Sequence, residues 1–281
     1  MSVRETNESE PIEDASLRSL APLTDARVAA LNFRSWALWL LGYPDAALAD
    51  ADRGLKDARE IRHAPSLMHA LANTSPTLIH CGNYAEANEL LNELSLLAKE
   101  KGSSLWTAEA TALRGRILAL TGEASDAVQT ITSGLTALRS TGTTLWEPHN
   151  LSYLAVTYAE CGLFDEAARC IGEALIMTET SKERWSEAEL NRIAGQIALM
   201  SPERDAVKAE AYFEHALLVA RKQQAKSWEL RAAMSMARLW RDQGKPEAAR
   251  NLLAPVYGWF TEGFDTLDLK EANALLEELA A

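Results

Sequence analysis

Tryptophan and glycine residues recur along this chain with a common period of about forty residues. Four tryptophans are separated by 40, 39 and 43 positions: Trp106, Trp146, Trp185 and Trp228. Five glycines keep the same period, with spacings of 40, 40, 40 and 82: Gly42, Gly82, Gly122, Gly162 and Gly244. Self-similarity of this kind indicates a repeat architecture, in which each copy buries its apolar side against the next.

Two further positions in every period hold a small residue. The first comprises Ser35, Ser75, Gly115, Ala155, Ala194 and Ala237. The second comprises Ala47, Ala87, Ala127, Ala167, Ala209 and Ala249. Ala209 is preferred to Ala206 in the fifth period, because it places three extra residues in the turn near 201–204 and explains the spacing of 43. Small residues at both positions let two antiparallel helices approach closely.

Each unit has the pattern of helix, turn and helix. In the fourth unit, Leu151, Leu154, Ala155 and Tyr158 fall on one face of an α-helix. Gly162 then ends that helix, because glycine adopts a left-handed conformation at low cost. Since no segment alternates with the period of a β-strand, the expected fold is all-α, with six hairpins of about 40 residues.

The period divides residues 21–264 into a repeat domain with a segment on either side. The expected repeats are 26–65, 66–105, 106–145, 146–184, 185–227 and 228–264. Residues 1–20 are polar and acidic and are interrupted by Pro11, so we expect a flexible arm. Residues 265–281 carry one apolar stripe, formed by Leu269, Ala272, Leu276 and Leu279. We expect a capping helix there, with Asp268 and Glu271 on its polar outer side.

The charge balance excludes several function classes. The chain has 281 residues, a net charge of −12 and 47% hydrophobic residues, as in a globular protein. An acidic chain is poorly suited to nucleic acid or to anionic lipid, since both need clustered Lys and Arg. The sequence has neither a signal-peptide pattern nor an apolar run of membrane-spanning length, so we expect a cytoplasmic protein.

The spacing of the small residues, the turn glycine and the alanine resembles the tetratricopeptide repeat. The forty-residue period resembles its longer-helix variant, which occurs in STAND-type signalling regulators. Residues 227–279 further resemble the C-terminal end of bacterial proteins that join a class III adenylate or guanylate cyclase, an ATPase module and such repeats. The chain has no segment similar to the cyclase or the ATPase, so it is either a stand-alone relative or a fragment. The resemblance implies a right-handed superhelical solenoid with a concave groove.

By that resemblance, specific first-helix positions line the groove and form the candidate binding site. The candidates are Asn32, Trp36, Trp39, Glu109, Arg116, His149, Ser152, Asn191, Arg231, Arg238 and Arg241. The three arginines of the last repeat form a basic end that suits a carboxylate or an acidic peptide. Alternatively, they pair with acidic residues of neighbouring helices.

The tryptophans allow two interpretations as well. Trp36 and Trp39 lie at i and i+3 on one helical face, either as an aromatic wall for a ligand or as core. The four recurring tryptophans occupy equivalent positions, which favours stacking between repeats. Two departures from the repeat, Pro76 inside a helix and the insertion near 201–204, are better candidates for a specialised region.

Catalytic and metal-binding motifs are not found in the sequence. No HExxH, Cys/His metal pair, phosphate-binding glycine loop or nucleotide fingerprint occurs. His69 and His80 would share a groove face, but zinc needs further ligands. We therefore expect a protein that is not an enzyme and has no cofactor and no metal.

The sequence predicts a regulatory scaffold that binds a peptide segment or a partner protein in its groove, in bacterial signalling or transcriptional control. The alternative is a sensor domain for a small molecule or a signalling peptide. A closed pocket lined by Trp36, Trp39 or the last arginines would favour the sensor, and an open trough would favour the scaffold. A homodimer is possible if the apolar end of the first repeat is exposed.

Overall fold

The computed structural model describes residues 24–280, and all regular structure in that range is α-helical. Thirteen helices follow one another along it. They are α1 (Ala26–Leu41), α2 (Pro44–Ile61), α3 (Ala64–Cys81), α4 (Tyr84–Glu100), α5 (Ser104–Leu120), α6 (Ala124–Ser140), α7 (Glu147–Glu160), α8 (Phe164–Ser181), α9 (Glu187–Met200), α10 (Ala206–Gln223), α11 (Lys226–Asp242), α12 (Pro246–Tyr257) and α13 (Leu267–Glu278). The expected all-α solenoid of six hairpins and a terminal helix is confirmed. The arm expected over residues 1–20 lies outside the described residues.

Recurring glycines form the turns inside the hairpins. Gly42, between α1 and α2, has φ of 89° and donates its N–H to the carbonyl of Trp39 at 3.0 Å. The N–H of the next residue, Tyr43, donates to the carbonyl of Leu38 at 2.9 Å. Gly82 repeats this turn after α3, with φ of 86°. Because only glycine adopts such angles without strain, the turn positions of the repeat are set by local chemistry.

The small residues lie where the two helices of a hairpin touch. The alanines of the second position are all fully buried: Ala47, Ala87, Ala127, Ala167, Ala209 and Ala249. Ala206 is only partly buried, so Ala209 holds this position in the fifth repeat, as the sequence indicated. In the third hairpin a Cβ atom on Gly115 would lie 2.5 Å from Cγ1 of Ile131, because α5 and α6 approach so closely.

The odd-numbered helices from α1 to α11 form the inside of the solenoid. Each contacts the next odd-numbered helix, and α11 in turn contacts α1. At this junction the hydroxyl of Ser227 donates to the backbone carbonyl of Trp39. The six inner helices therefore close into a ring, and an enclosed interior replaces the open groove that the resemblance implied.

Residues 258–266, which we name the closing segment, fasten the two ends of the ring. The backbone N–H of Ala46 donates to Glu262 at 3.0 Å, and that of Gly263 donates to Asp45 at 3.0 Å. A Cβ atom on Gly263 would lie 1.9 Å from Cγ of Pro44. The same chain thus covers part of the end of the first hairpin, and the homodimer stays a prediction.

Candidate functional site

The interior of the ring contains a cavity of about 290 Å³, which we name the aromatic chamber. Its lining residues come from five inner helices and their leading turns: Phe33, Trp36, Ala37, Trp39, Leu40, Pro76, His80, Glu109, Arg116, Trp146 and Trp185. Phe33 is 53% exposed and Ala37 is also exposed, so the chamber reaches the surface beside α1. A concave, mostly apolar cavity with a few polar groups is typical of a ligand site.

Tryptophans from three different repeats form the chamber wall. The ring of Trp36 lies 4.4 Å from that of Trp146, and Trp146 lies 5.1 Å from Trp185, both pairs meeting edge to face. The indole N–H of Trp36 donates to the carbonyl of Asn73 at 2.8 Å, which fixes its orientation. The recurring tryptophans of the last three repeats contact one another as expected, yet two of them also line the chamber.

A layer of rings separates the aromatic chamber from a second cavity. The ring of Trp39 stacks on His80 at 4.2 Å and meets Trp228 edge to face at 4.7 Å. His80 in turn lies 5.8 Å from His149, which packs against Trp185 at 4.7 Å. This layer joins the first, second, fourth, fifth and sixth repeats, so it is a central contact of the closed ring.

The two histidines of this layer are held neutral. Burial lowers the pKa of His80 well below its usual value, and the positive charges of Arg231 and Arg116 lower it further. Burial also lowers the pKa of His149, and Arg116 adds to the effect. Within the described residues neither ring nitrogen of His149 has a hydrogen-bond partner. These rings therefore act in the interior as aromatic groups.

Arg116 and Glu109 are the charged groups of the aromatic chamber. Arg116 is only 3% exposed, donates from Nε to Asn150 at 2.8 Å and lies over the ring of Tyr153. Across residues 24–280 no carboxylate lies within 4.0 Å of its guanidinium. Burial lowers the pKa of Arg116 and raises the pKa of Glu109. Each charge thus lacks a direct counter-ion in the described part of the chain.

The second cavity, of about 250 Å³, is lined by residues of repeats two to six and of α13, and we name it the charged chamber. Arg231 pairs with Asp268 at 2.7 Å and with Glu189 at 3.5 Å. Glu189 also accepts from Arg192 at 2.7 Å. Burial alone would raise the pKa of Glu189, but the arginines outweigh it, so the pKa is lowered. The three arginines of this chamber, Arg192, Arg231 and Arg238, each have a carboxylate partner, unlike Arg116 in the aromatic chamber.

Several predicted groove residues are buried between helices instead. Asn32 is fully buried and donates to the hydroxyl of Thr74 at 3.2 Å. Ser152 is also fully buried and donates to the backbone carbonyl of His149 at 2.7 Å. Asn191 donates to the carbonyl of Glu187 at 2.8 Å. These three side chains line neither chamber, because the tight superhelix packs their faces against neighbouring helices.

The basic end predicted in the last repeat is neutralised. Besides the pairing of Arg231, Arg238 pairs with Glu271 at 2.8 Å, and Arg241 pairs with Glu278 at 2.8 Å. All three acidic partners of this kind lie on α13, whose acidic side was expected to face solvent. Of the two interpretations of the arginines, the ion pairs with neighbouring helices agree with the structure.

Of the eleven predicted site residues, four line the aromatic chamber: Trp36, Trp39, Glu109 and Arg116. Arg231 and Arg238 line the charged chamber, and His149 lies in the layer between. Sequence reasoning missed Phe33, Trp146 and Trp185 as lining residues. Phe33 precedes Trp36 by three positions on the same face, a spacing that pointed to it. Pro76, noted as a departure from the repeat, also lies in the wall.

Metal binding and covalent chemistry find little support in the described residues. No three His, Cys, Asp or Glu side chains between positions 24 and 280 group as metal ligands. His69 contacts Phe33 and Trp106, whereas His80 lies in the central layer. Burial raises the pKa of the Cys81 thiol to about 12, which keeps it protonated. Among the same residues, no helix is long and apolar enough to cross a membrane.

The family profile described as tetratricopeptide repeat matches residues 28–53 and 230–255. No curated protein sequence matches the chain. Within residues 227–279 the matched family is thus the repeat itself, and these comparisons give no support to a closer resemblance to cyclase–ATPase fusion proteins.

Solved structures share the fold over most of the chain. The apo form of RapI is 15% identical, with a TM-score of 0.61 over 94% of this chain and 90% of RapI. NprR, solved in complex with its cognate peptide NprX, is 16% identical, with a TM-score of 0.58 over 95% of this chain and 75% of NprR. BtubC from P. vanneervenii is 15% identical, with a TM-score of 0.52 over 83% of this chain and 88% of BtubC. The fold is therefore that of a tetratricopeptide-like helical repeat protein.

Proposed function

We propose that this chain is a non-catalytic regulatory protein that receives a peptide segment of a partner in the interior of its helical ring. The observation that carries the proposal is the aromatic chamber, which presents tryptophan rings beside an exposed stretch of α1. Aromatic side chains in a concave site are the usual anchors of protein and peptide recognition. NprR, which shares the fold, is solved with a cognate peptide, and this supports a peptide as the ligand.

The polar groups of the interior suit binding and not proton transfer. Glu189 and Asp268 are held by arginines, and His80 and His149 pack against aromatic rings. General acid–base catalysis requires a group that can exchange its proton with a substrate near neutral pH. Glu189 is instead kept ionised by Arg192 and Arg231, and His80 and His149 are kept neutral by burial.

The proposed setting is bacterial signalling or transcriptional control in the cytoplasm. Its support is the sequence resemblance to repeat-containing signalling regulators. An attached or associated signalling enzyme is proposed as the effector on the sequence resemblance of residues 227–279 alone, which the comparisons do not support. Binding in the interior would reach such a partner through the closing segment, because that segment joins the first and last hairpins.

A second candidate function is a sensor for a small molecule. The enclosed shape of the aromatic chamber favours it, since a volume of about 290 Å³ is at the lower end of the range for small-molecule pockets. One compact ligand, or one side chain of a peptide, would fill such a space. The two candidates therefore use the same chamber and differ in how far the ligand extends beyond it.

Blocking the mouth of the chamber tests both candidates. In Ala37→Trp a large ring replaces an exposed alanine of the lining. The matched control is Ala248→Trp, at an exposed alanine on α12, outside the ring. Tagged wild type and both variants would be used to capture partners from extracts of the source organism, and native mass spectrometry would weigh each protein with any ligand it retains.

Partners or retained ligands that occupy the interior should be lost from Ala37→Trp and kept by Ala248→Trp. A lost protein or peptide supports the regulatory scaffold, and a lost small mass supports the sensor. If both variants keep the same partners and the same masses as wild type, the interior is not the binding site.

A further inference from the structure

Arg116 differs from the other interior arginines in its hydrogen-bond partner. Arg192 and Arg231 each have a carboxylate of the chain at 2.7 Å. Arg116 is at least as buried, but in the described residues its only hydrogen bond goes to the neutral side chain of Asn150. A buried cation without a counter-ion is costly unless something else pairs with it. The guanidinium of Arg116 forms part of the chamber wall, so an anionic group in the chamber would pair with it.

The same wall carries an opposite charge that does not reach Arg116. Glu109 precedes it by seven residues on α5, two helical turns away on the same face, so the two Cα atoms are about 10 Å apart. No ion pair or hydrogen bond within residues 24–280 involves the Glu109 carboxylate. The chamber therefore holds one positive and one negative group that face a common space without touching.

The rings of Trp36, Trp146 and Trp185 line the same chamber as these two charges. We propose that the aromatic chamber binds one compact zwitterion with a flat apolar side chain, in chemical terms an aromatic α-amino acid. Its carboxylate pairs with Arg116, its ammonium group pairs with Glu109, and its ring packs against Trp36, Trp146 and Trp185. The inference rests on the second candidate function, the small-molecule sensor, and shares with the first only the interior as the ligand site.

Three features of the chamber match this ligand. Arginine is the side chain best suited to a carboxylate, because its planar fork donates two parallel hydrogen bonds. Tryptophan faces attract both aromatic rings and ammonium groups. The volume of about 290 Å³ accommodates one amino acid but not an extended peptide. Burial raises the pKa of Glu109, and an ammonium group beside its carboxylate would favour the ionised form.

Calorimetric titration of the full chain tests the proposal. The probes are L-phenylalanine, L-tyrosine and L-tryptophan, with two truncated analogues of phenylalanine. One analogue, 2-phenylethylamine, lacks the carboxylate, and the other, 3-phenylpropionate, lacks the ammonium group. Wild type should bind at least one aromatic amino acid about tenfold or more tighter than either analogue, because each removes one charge-assisted contact.

Variants assign each contact to its residue. Arg116→Met should weaken the amino acid and 3-phenylpropionate by about 10- to 100-fold and leave 2-phenylethylamine unchanged. Glu109→Gln should weaken the amino acid and 2-phenylethylamine and leave 3-phenylpropionate unchanged. Arg114→Met is the matched control, since Arg114 lies on the same helix but bonds to Leu91 and Asn92 outside the chamber. If Arg116→Met does not fold, the ligand series on wild type still decides.

The inference is overturned if none of the three amino acids binds measurably at millimolar concentration. It is also overturned if Arg116→Met and Glu109→Gln weaken every ligand equally. The proposed function is judged separately by the blocking variant. If Ala37→Trp loses partners while no amino acid binds to wild type, the interior remains a binding site and only its ligand class is wrong.

Discussion

At the scale of single residues, close packing between the two helices of a hairpin can require glycine, which has no Cβ atom. Gly115 lies against Ile131, and a Cβ atom there would come within 2.8 Å of the Ile131 backbone nitrogen. Gly172, in the middle of α8, has no atom within 4 Å of the same position. Two helical glycines thus serve as a matched pair that differs only in the distance to the neighbouring helix.

We expect Gly115→Ala to lower the free energy of unfolding by about 1–2 kcal/mol, because the added methyl group pushes α5 and α6 apart. Gly172→Ala should raise it by about 0.5–1 kcal/mol, since alanine is the better helix former and meets nothing. Urea unfolding followed by circular dichroism checks both. If both variants raise the free energy of unfolding by the same amount, the close contact between α5 and α6 does not limit stability.

The central histidines predict a pH dependence. His80 and His149 keep a lowered pKa in the folded state, whereas the unfolded chain binds protons below about pH 6.5. Stability is therefore complete above that pH and is lost as the pH falls below it, by up to about 1.4 kcal/mol per pH unit for each histidine. His149→Phe should reduce this slope, because it removes one of the two buried groups. Thermal unfolding between pH 7.5 and 5.5 measures the slopes.

The positions of these small residues and glycines were predictable from the sequence. A hairpin contact joins residues that are close along the chain and recur six times, so the pattern itself records it. The pairing of His80 with His149 was not predictable, because it joins the second repeat to the fourth through the curvature of the superhelix.

At the scale of elements, α13 is held by ion pairs of two kinds. Asp268 and its partner Arg231 are 18% and 15% exposed, whereas Glu271 and its partner Arg238 are 45% and 43% exposed. An ion pair near solvent contributes little, but a buried one leaves an uncompensated charge when it is broken. The same helix therefore offers both cases with the same chemistry.

Asp268→Asn should lower the free energy of unfolding by about 2–4 kcal/mol, since Glu189, at 3.5 Å, would be the one carboxylate left beside Arg231 among the described residues. Glu271→Gln should change it by less than about 1 kcal/mol. Chemical denaturation of the two variants under one set of conditions gives the comparison. A loss of the same size in both would contradict the difference in burial.

The sequence identified α13 as a terminal helix with an apolar stripe, and it located the arginines of the last repeat. It could not show that Asp268 turns inward, because the rotation of α13 depends on the helices it packs against. An acidic residue on a short amphipathic helix has the same pattern whether it meets water or a buried arginine.

At the scale of the whole molecule, closure of the ring depends on the closing segment. Gly263 has φ of 77° and touches Pro44 of the first hairpin, while Gly142 has φ of 80° with no atom within 4 Å of its Cβ position. A substitution at either site strains the backbone equally, but only the first obstructs the contact between the two ends.

Gly263→Val should open the ring and increase the radius of gyration measured by small-angle X-ray scattering. Hydrogen exchange should rise in α1, α11 and α13 together, because they are joined at the closure, and change little in α6. Gly142→Val controls for backbone strain alone. If both variants scatter like wild type, the closing segment does not hold the ring.

The local repeat was predictable from the sequence, but the enclosed chamber was not. A small rotation between neighbouring hairpins, summed over six of them, decides whether the ends meet, and no single residue encodes that sum. For the same reason Trp146 and Trp185 were interpreted as packing residues only. Their equivalent places in the repeat gave no hint that the curvature would turn them toward Trp36.

Contact between α1 and α11 also fixes how many copies of the hairpin this architecture tolerates. Open solenoids lengthen or shorten by duplication or loss of a unit, since each copy needs only its neighbours. Here a seventh copy would separate Asp45 from Gly263, and removal of one would leave a gap between them. Gain or loss of a whole unit would therefore abolish the interior, so this molecule can diversify only by point substitution within a constant number of units.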